Sequence, residues 1–70
     1  MPIFLASTDT ELTITHVHGR DEATRHLHDM GLVAGAKVRV LSKEGKSVIL
    51  VLGGSRIALD SNLASRIVVG

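Results

Sequence analysis

The residues with the plainest capacity for chemistry are four histidines, His16, His18, His26 and His28. His16 and His18 stand two apart in a stretch with strand composition, so a regular strand would set both imidazoles on one face. A bulge in that strand would separate them. His26 and His28 fall in a helical stretch, about 200° apart around the axis, which puts them on different sides. Glu22 and His26, at i and i+4, share a face and would supply one ligand each. There is no cysteine, and no pair of histidines at i, i+4, so the usual zinc and iron ligand patterns are missing. The histidines therefore read as surface residues, with no metal ligand and no cofactor assigned.

Nucleophilic chemistry finds still less support. Serines, histidines and aspartates occur, but none stands in the Gly-x-Ser-x-Gly elbow that exposes a nucleophile. Gly31, Gly35 and the Gly53-Gly54 pair do not belong to a Gly-x-x-x-x-Gly-Lys-Ser/Thr phosphate loop. A barrel of this size also has little room to enclose a ligand. The chain reads as a protein without catalytic activity.

Composition narrows the partners. Net charge is only +1, the eight Lys and Arg are scattered, and Phe4 is the sole aromatic residue. Nucleic-acid binders of this length carry a basic stripe and stacking aromatics, so no nucleic-acid partner is expected. No apolar run approaches the ~20 residues of a membrane helix, and Met1-Pro2-Ile3-Phe4-Leu5-Ala6 lacks the basic lead of a signal peptide. A cytoplasmic location without membrane insertion is expected, and the lack of disulfides agrees with it.

The elements that must position these residues are mostly strands. Leu12-Thr13-Ile14-Thr15-His16-Val17-His18 is rich in β-branched residues, with Leu12 and Ile14 in phase and Val17 out of phase. A β-bulge near Thr15-His16 would restore the phase. From Asp21 to Met30 the period changes to that of a helix, with Ala23, Leu27 and Met30 on one side. Asp21 fits the N-cap and Gly31 the left-handed residue beyond the end. Ala36-Lys37-Val38-Arg39-Val40 alternates as a strand, and Lys43-Glu44-Gly45-Lys46 reads as a turn. Ser47-Val48-Ile49-Leu50-Val51-Leu52 is a strand ended by the Gly53-Gly54 hairpin signal. Arg56-Ile57-Ala58-Leu59 returns, Asp60-Ser61-Asn62 opens a helical turn, and Arg66-Ile67-Val68-Val69 closes the chain. The expected fold is mainly β, a small closed five-stranded barrel of the SH3-like kind with one short α-helix inserted after the first strand.

The run Leu27-His28-Asp29-Met30-Gly31-Leu32-Val33-Ala34-Gly35-Ala36-Lys37-Val38-Arg39-Val40 resembles the signature of the FeoA family. That signature is a helix ending in Leu-x-x-Met/Leu-Gly-Leu, then Pro-Gly, then a Val-x-Val strand. Leu12, Ile14, Val17 and Gly19 follow the family's first strand. Val48, Leu50, Leu52 and Gly54 match its hairpin, Ile57-Ala58-Leu59 the return, and Ala64, Ile67 and Val69 the closing segment. Ala34 departs from the usual proline and Asp9 from a usual glycine. The resemblance implies one cytosolic SH3-like domain over residues 1–70. It also implies an accessory role in ferrous iron uptake, through contact with the cytosolic, GTPase-bearing part of the FeoB transporter. A similar domain ends the iron-dependent repressors, behind a helix-turn-helix and metal-binding region that these residues do not contain. The alternative is a small protein that binds Fe(II) or another transition metal to buffer or deliver it.

Two stretches stand out as partner contacts. If Val48, Leu50 and Leu52 point inward, Ile49 and Val51 point outward, where a solvated sheet normally carries polar groups. The post-helix segment supplies the other four candidates, His28, Asp29, Leu32 and Val33. Adjacent exposed aliphatics suit a docking patch. A homodimer through the same face, or cover from the helix or from Ile3-Phe4-Leu5, would use them otherwise.

Overall fold

A computed structural model describes all of residues 1–70. Strand β1 (Glu11–Val17) is followed by helix α1 (Glu22–Asp29) and a meander of β2 (Lys37–Glu44), β3 (Ser47–Leu52) and β4 (Ser55–Leu59). A helical turn α2 (Ser61–Ala64) then leads to β5 (Ile67–Val69). The strands form one antiparallel sheet in the order β4-β3-β2-β1-β5. The expected mainly-β, SH3-like architecture with its helix after the first strand is the one observed.

Local chemistry explains most boundaries. Asp21 caps α1 by accepting a hydrogen bond from the Thr24 N–H at 3.3 Å, and Gly31 follows its end at φ +90°. Both meander turns are two residues long, Gly45-Lys46 between paired Glu44 and Ser47, and Gly53-Gly54 between paired Leu52 and Ser55. In each the first turn residue is a glycine at φ near +60° and the second has no positive φ, the signature of the II′ turns that match strand twist. Asp9, at φ +62°, adopts the left-handed geometry that aspartate tolerates better than most side chains.

β1 serves two neighbours. Its first half pairs with β2, Leu12 opposite Val38, and its second half with β5, Val17 opposite Ile67. The register shifts between Ile14 and His16, so Thr15 is the extra residue of the expected bulge. Ile14 and Val17 thereby share the inward side with Val38, Val40, Val48, Leu50, Leu59, Ile67 and Val69. A second shift, between Val40 and Ser42, leaves Leu41 as the extra residue in β2.

No backbone pairing joins β4 to β5. The opening is filled by packed pieces instead, α2 through buried Ala64 and a 3-10 turn at Ile3–Leu5 through buried Ile3. The connection from β4 to β5 runs through this helical turn, and its backbone groups are spent internally, Ala64 N–H on Asp60 and Ser65 N–H on Ser61. The outer edge of β5 is taken by the N-terminus, whose amine donates to the Val69 carbonyl while the Val69 N–H donates to the Met1 carbonyl, both at 2.8 Å. Lys43 Nζ holds the same segment at the Ala6 carbonyl (2.6 Å), and Lys46 Nζ sits 5.4 Å from the Phe4 ring centroid.

Two neighbours on β3 test the inside–outside assignment. Leu50 is fully buried and Ile49 is 37 % exposed. Truncating Leu50 to Ala should cost about 2–5 kcal/mol, a large part of the roughly 3.5–10 kcal/mol that 70 residues support. Ile49→Thr should stay within about 1 kcal/mol. Urea unfolding followed by far-ultraviolet circular dichroism would measure both, and equal losses would contradict the assignment.

Candidate functional site

The outer face of the meander is where side chains are available. Its rows follow from the register. Glu11, Arg39, Val51 and Arg56 lie side by side across β1 to β4, and Ser42, Ile49 and Ala58 form the next row. Lys37 stands opposite Thr13 and donates to its hydroxyl at 3.4 Å. In the part nearest the Gly53-Gly54 turn, three cations (Lys37, Arg39, Arg56) face one carboxylate (Glu11). Val51 points outward yet is half-buried, standing between the directly opposite Arg39 and Arg56. A shallow groove of ≈ 310 Å³ crosses this region, lined by Glu11, Lys37, Val38, Arg39, Val51 and Gly53. A second depression of ≈ 220 Å³ lies at the other end of β3 and β4, beside Ile49 and Ala58. The first only reaches the lower end of small-molecule sites, and the second falls below it.

The post-helix candidates reach the same end of the barrel. A side chain at Gly31 would meet Leu52 Cδ2 at 3.1 Å, so the 31–36 loop lies against the end of β3. His28 and Asp29 are exposed in the last turn of α1, and Val33 is 39 % exposed. Leu32 is a correction. It is completely buried in the core, and its N–H donates to the Leu27 carbonyl at 3.0 Å. It supports the loop from beneath and offers nothing to a partner. Of two adjacent apolar residues the turn buries one and displays the other, and no local pattern says which.

The histidines also part from expectation. The bulge residue is Thr15, one position before the imidazoles, so the strand is regular again from His16 onward. His16 and His18 therefore share the outer face, ring centroids 4.5 Å apart at 80° to each other. No group of three or more His, Asp or Glu side chains converges as a metal site anywhere in the chain.

Sequence reasoning missed the polar hub that holds α1 on the barrel. Arg66, just before β5, donates from Nη1 to Asp21 Oδ1 at 2.7 Å and to Thr24 Oγ1 at 3.4 Å. Thr24, almost fully buried, donates from its hydroxyl toward the His18 carbonyl at 3.0 Å. Arg66 Nε is buried with no partner. Gly19, at φ +103°, lies so close that a Cβ there would come within 2.6 Å of Arg66 Nη1. Only glycine fits. The partners are 42 and 45 residues apart, so the sole sequence signal was the glycine ending β1.

A curled five-stranded sheet with a plugged opening, an apolar interior and a charged outer face defines a small SH3-like domain. The FeoA domain family matches residues 1–70, and the chain belongs to that family. Among solved structures, an iron uptake regulatory protein (FeoA) is 28% identical with a TM-score of 0.87, over 99% of this chain and 93% of its own. FeoA of Stenotrophomonas maltophilia, solved with zinc and described as a prokaryotic SH3 domain protein, is 30% identical with a TM-score of 0.77, over 91% and 82%. IdeR of T. acidophilum has a TM-score of 0.87 at 21% identity; 99% of this chain covers 32% of it, and the likeness is one of fold. No curated protein sequence matches.

The hub carries a pH dependence. The Arg66 hydrogen bond, and then the Thr24 N–H, hold the Asp21 carboxyl below its ordinary 3.8. Folded Asp21 thus takes up a proton less readily than unfolded Asp21, and the stabilisation is complete above the unfolded value and lost as pH falls through the lower folded one. The stability difference between wild type and Asp21→Asn should be constant near neutrality and shrink below about pH 4. Urea midpoints across an acid pH series would check it, and a difference that grows on acidification would contradict the sign.

Proposed function

We propose that this chain is an accessory protein of ferrous iron uptake in the cytoplasm, that residues 1–70 act as one domain, and that it works without catalysing a reaction. It docks on the cytosolic, GTPase-bearing part of a FeoB transporter. Family membership supplies the setting. The observation that carries the docking surface is the outer row in which Val51 stands between Arg39 and Arg56, with Ile49 beside it and Lys37 above. Such a surface pairs apolar area with steering cations, the combination that gives a transient interface both affinity and a fast approach. Val33, His28 and Asp29, exposed where the loop after α1 passes the end of β3, are the further contacts of this reading.

An accessory of this kind influences the transporter only by binding one of its states more tightly than another. Its contact is therefore expected to differ with the nucleotide held by the GTPase. The alternative role, buffering or delivering Fe(II) or another transition metal, calls for several converging ligands, and no three His, Asp or Glu side chains converge.

The test is titration of the full chain into its cognate FeoB, reconstituted in membrane discs, with and without guanine nucleotide. Val51→Asp should weaken binding by at least about tenfold, ~1.4 kcal/mol, while far-ultraviolet circular dichroism stays unchanged. Arg39→Glu combined with Arg56→Glu should slow association and flatten its salt dependence. If wild type neither binds nor alters GTP turnover or transport, the reading fails. A stable dimer that buries Ile49 and Val51 would assign the face to a second copy instead.

A further inference from the structure

We propose that His16 and His18 form a two-imidazole chelate on the outer face of β1 for late first-row divalent cations, copper(II) foremost, with water completing the coordination. The site stands apart from the docking row and does not depend on it.

The geometry supports it in three ways. First, the backbone under both residues is fixed, because His16 is paired with Val68 and the His18 N–H donates to the Arg66 carbonyl at 2.7 Å. Second, both side chains are exposed and neither ring nitrogen is engaged in a hydrogen bond within the chain. Third, the two rings stand close enough to share one ion. A metal–nitrogen bond of about 2.0–2.1 Å, plus about 1.1 Å from nitrogen to ring centre, puts each centroid roughly 3.1–3.2 Å from a shared ion. Two such ligands at right angles hold their centroids about 4.4–4.5 Å apart, and at a tetrahedral angle about 5.1–5.2 Å. The observed separation is 4.5 Å, within reach of one shared ion, and tetragonal nitrogen–oxygen coordination is the preference of copper(II) and nickel(II). Turning the exposed rings about χ2 aims the nitrogens without moving the strand.

Two protein ligands make an open site. Nothing in it discriminates by shape against any ion, so affinity follows the Irving–Williams order, with copper strongest and Fe²⁺ well below nickel and zinc. The site thus responds to metals other than ferrous iron. His26 and His28 are an internal control, since both are exposed on α1 but too far apart around the helix to share an ion.

The experiment is calorimetric titration of the full chain with Cu²⁺, Ni²⁺, Zn²⁺ and, anaerobically, Fe²⁺, in a non-coordinating buffer slightly above neutral pH. A saturable one-to-one copper site of micromolar affinity is expected, with nickel and zinc weaker and Fe²⁺ weakest. His16→Ala and His18→Ala should each lower copper affinity by about tenfold or more, and His26→Ala and His28→Ala should leave it unchanged. Electron paramagnetic resonance of the copper form should show coupling to two imidazole nitrogens, falling to one in either single variant. Unchanged copper affinity in His16→Ala or His18→Ala would overturn the chelate. So would a site that prefers Fe²⁺, or one lost on replacing His26 or His28.

Discussion

Everything in this domain depends on β1 facing the same interior while it changes partners. Its first half belongs to the meander and its second half to β5, and the two ladders are out of phase by one residue. A strand with strict alternation would bury Ile14 and then turn Val17 toward water. The inserted Thr15 absorbs the mismatch, with its own hydroxyl donating to the Val68 carbonyl at 3.2 Å. The same insertion decides the outer face. Because Val17 returns inward, His16 and His18 are both turned out, and they stand together only because the irregularity precedes them.

The interior that β1 helps to enclose is aliphatic throughout. Thirteen apolar residues are buried, and none is aromatic. Valine, isoleucine and leucine hold their places by shape and by stiff rotamers, which suits a small barrel whose strands must curl closely. The chemistry open to the domain is therefore that of its exterior, where the register sets cations around Val51 and leaves Ile49 uncovered.

Much of this was legible because the signals are local. Asp21 and Gly31 bracket the helix, Gly45 and Gly53 mark the tight turns, and the broken alternation at Leu12, Ile14 and Val17 announces the bulge. The outward positions of Ile49 and Val51 followed from alternation alone. What stayed hidden involves partners far apart in the chain. The Arg66–Asp21–Thr24 hub joins residues more than 40 positions apart, and nothing near either end marks the other. Burial of Leu32 beside exposed Val33 is set by the path of the loop over the core. The helical turn between β4 and β5 was legible at Asp60-Ser61-Asn62, but its packing into the opening through buried Ala64 was not.

The meeting of the two termini at Met1 and Val69 gives the sheet an uneven build. Its meander is stitched by two-residue turns, so each strand finds its neighbour at almost no loss of chain freedom. The terminal seam instead draws together residues 68 positions apart, and the entropy of closing a loop rises with its length. The cheapest part of the ladder to assemble is thus the part that displays Val51 and its arginines. The costliest is the far side, where amine and carbonyl clasp.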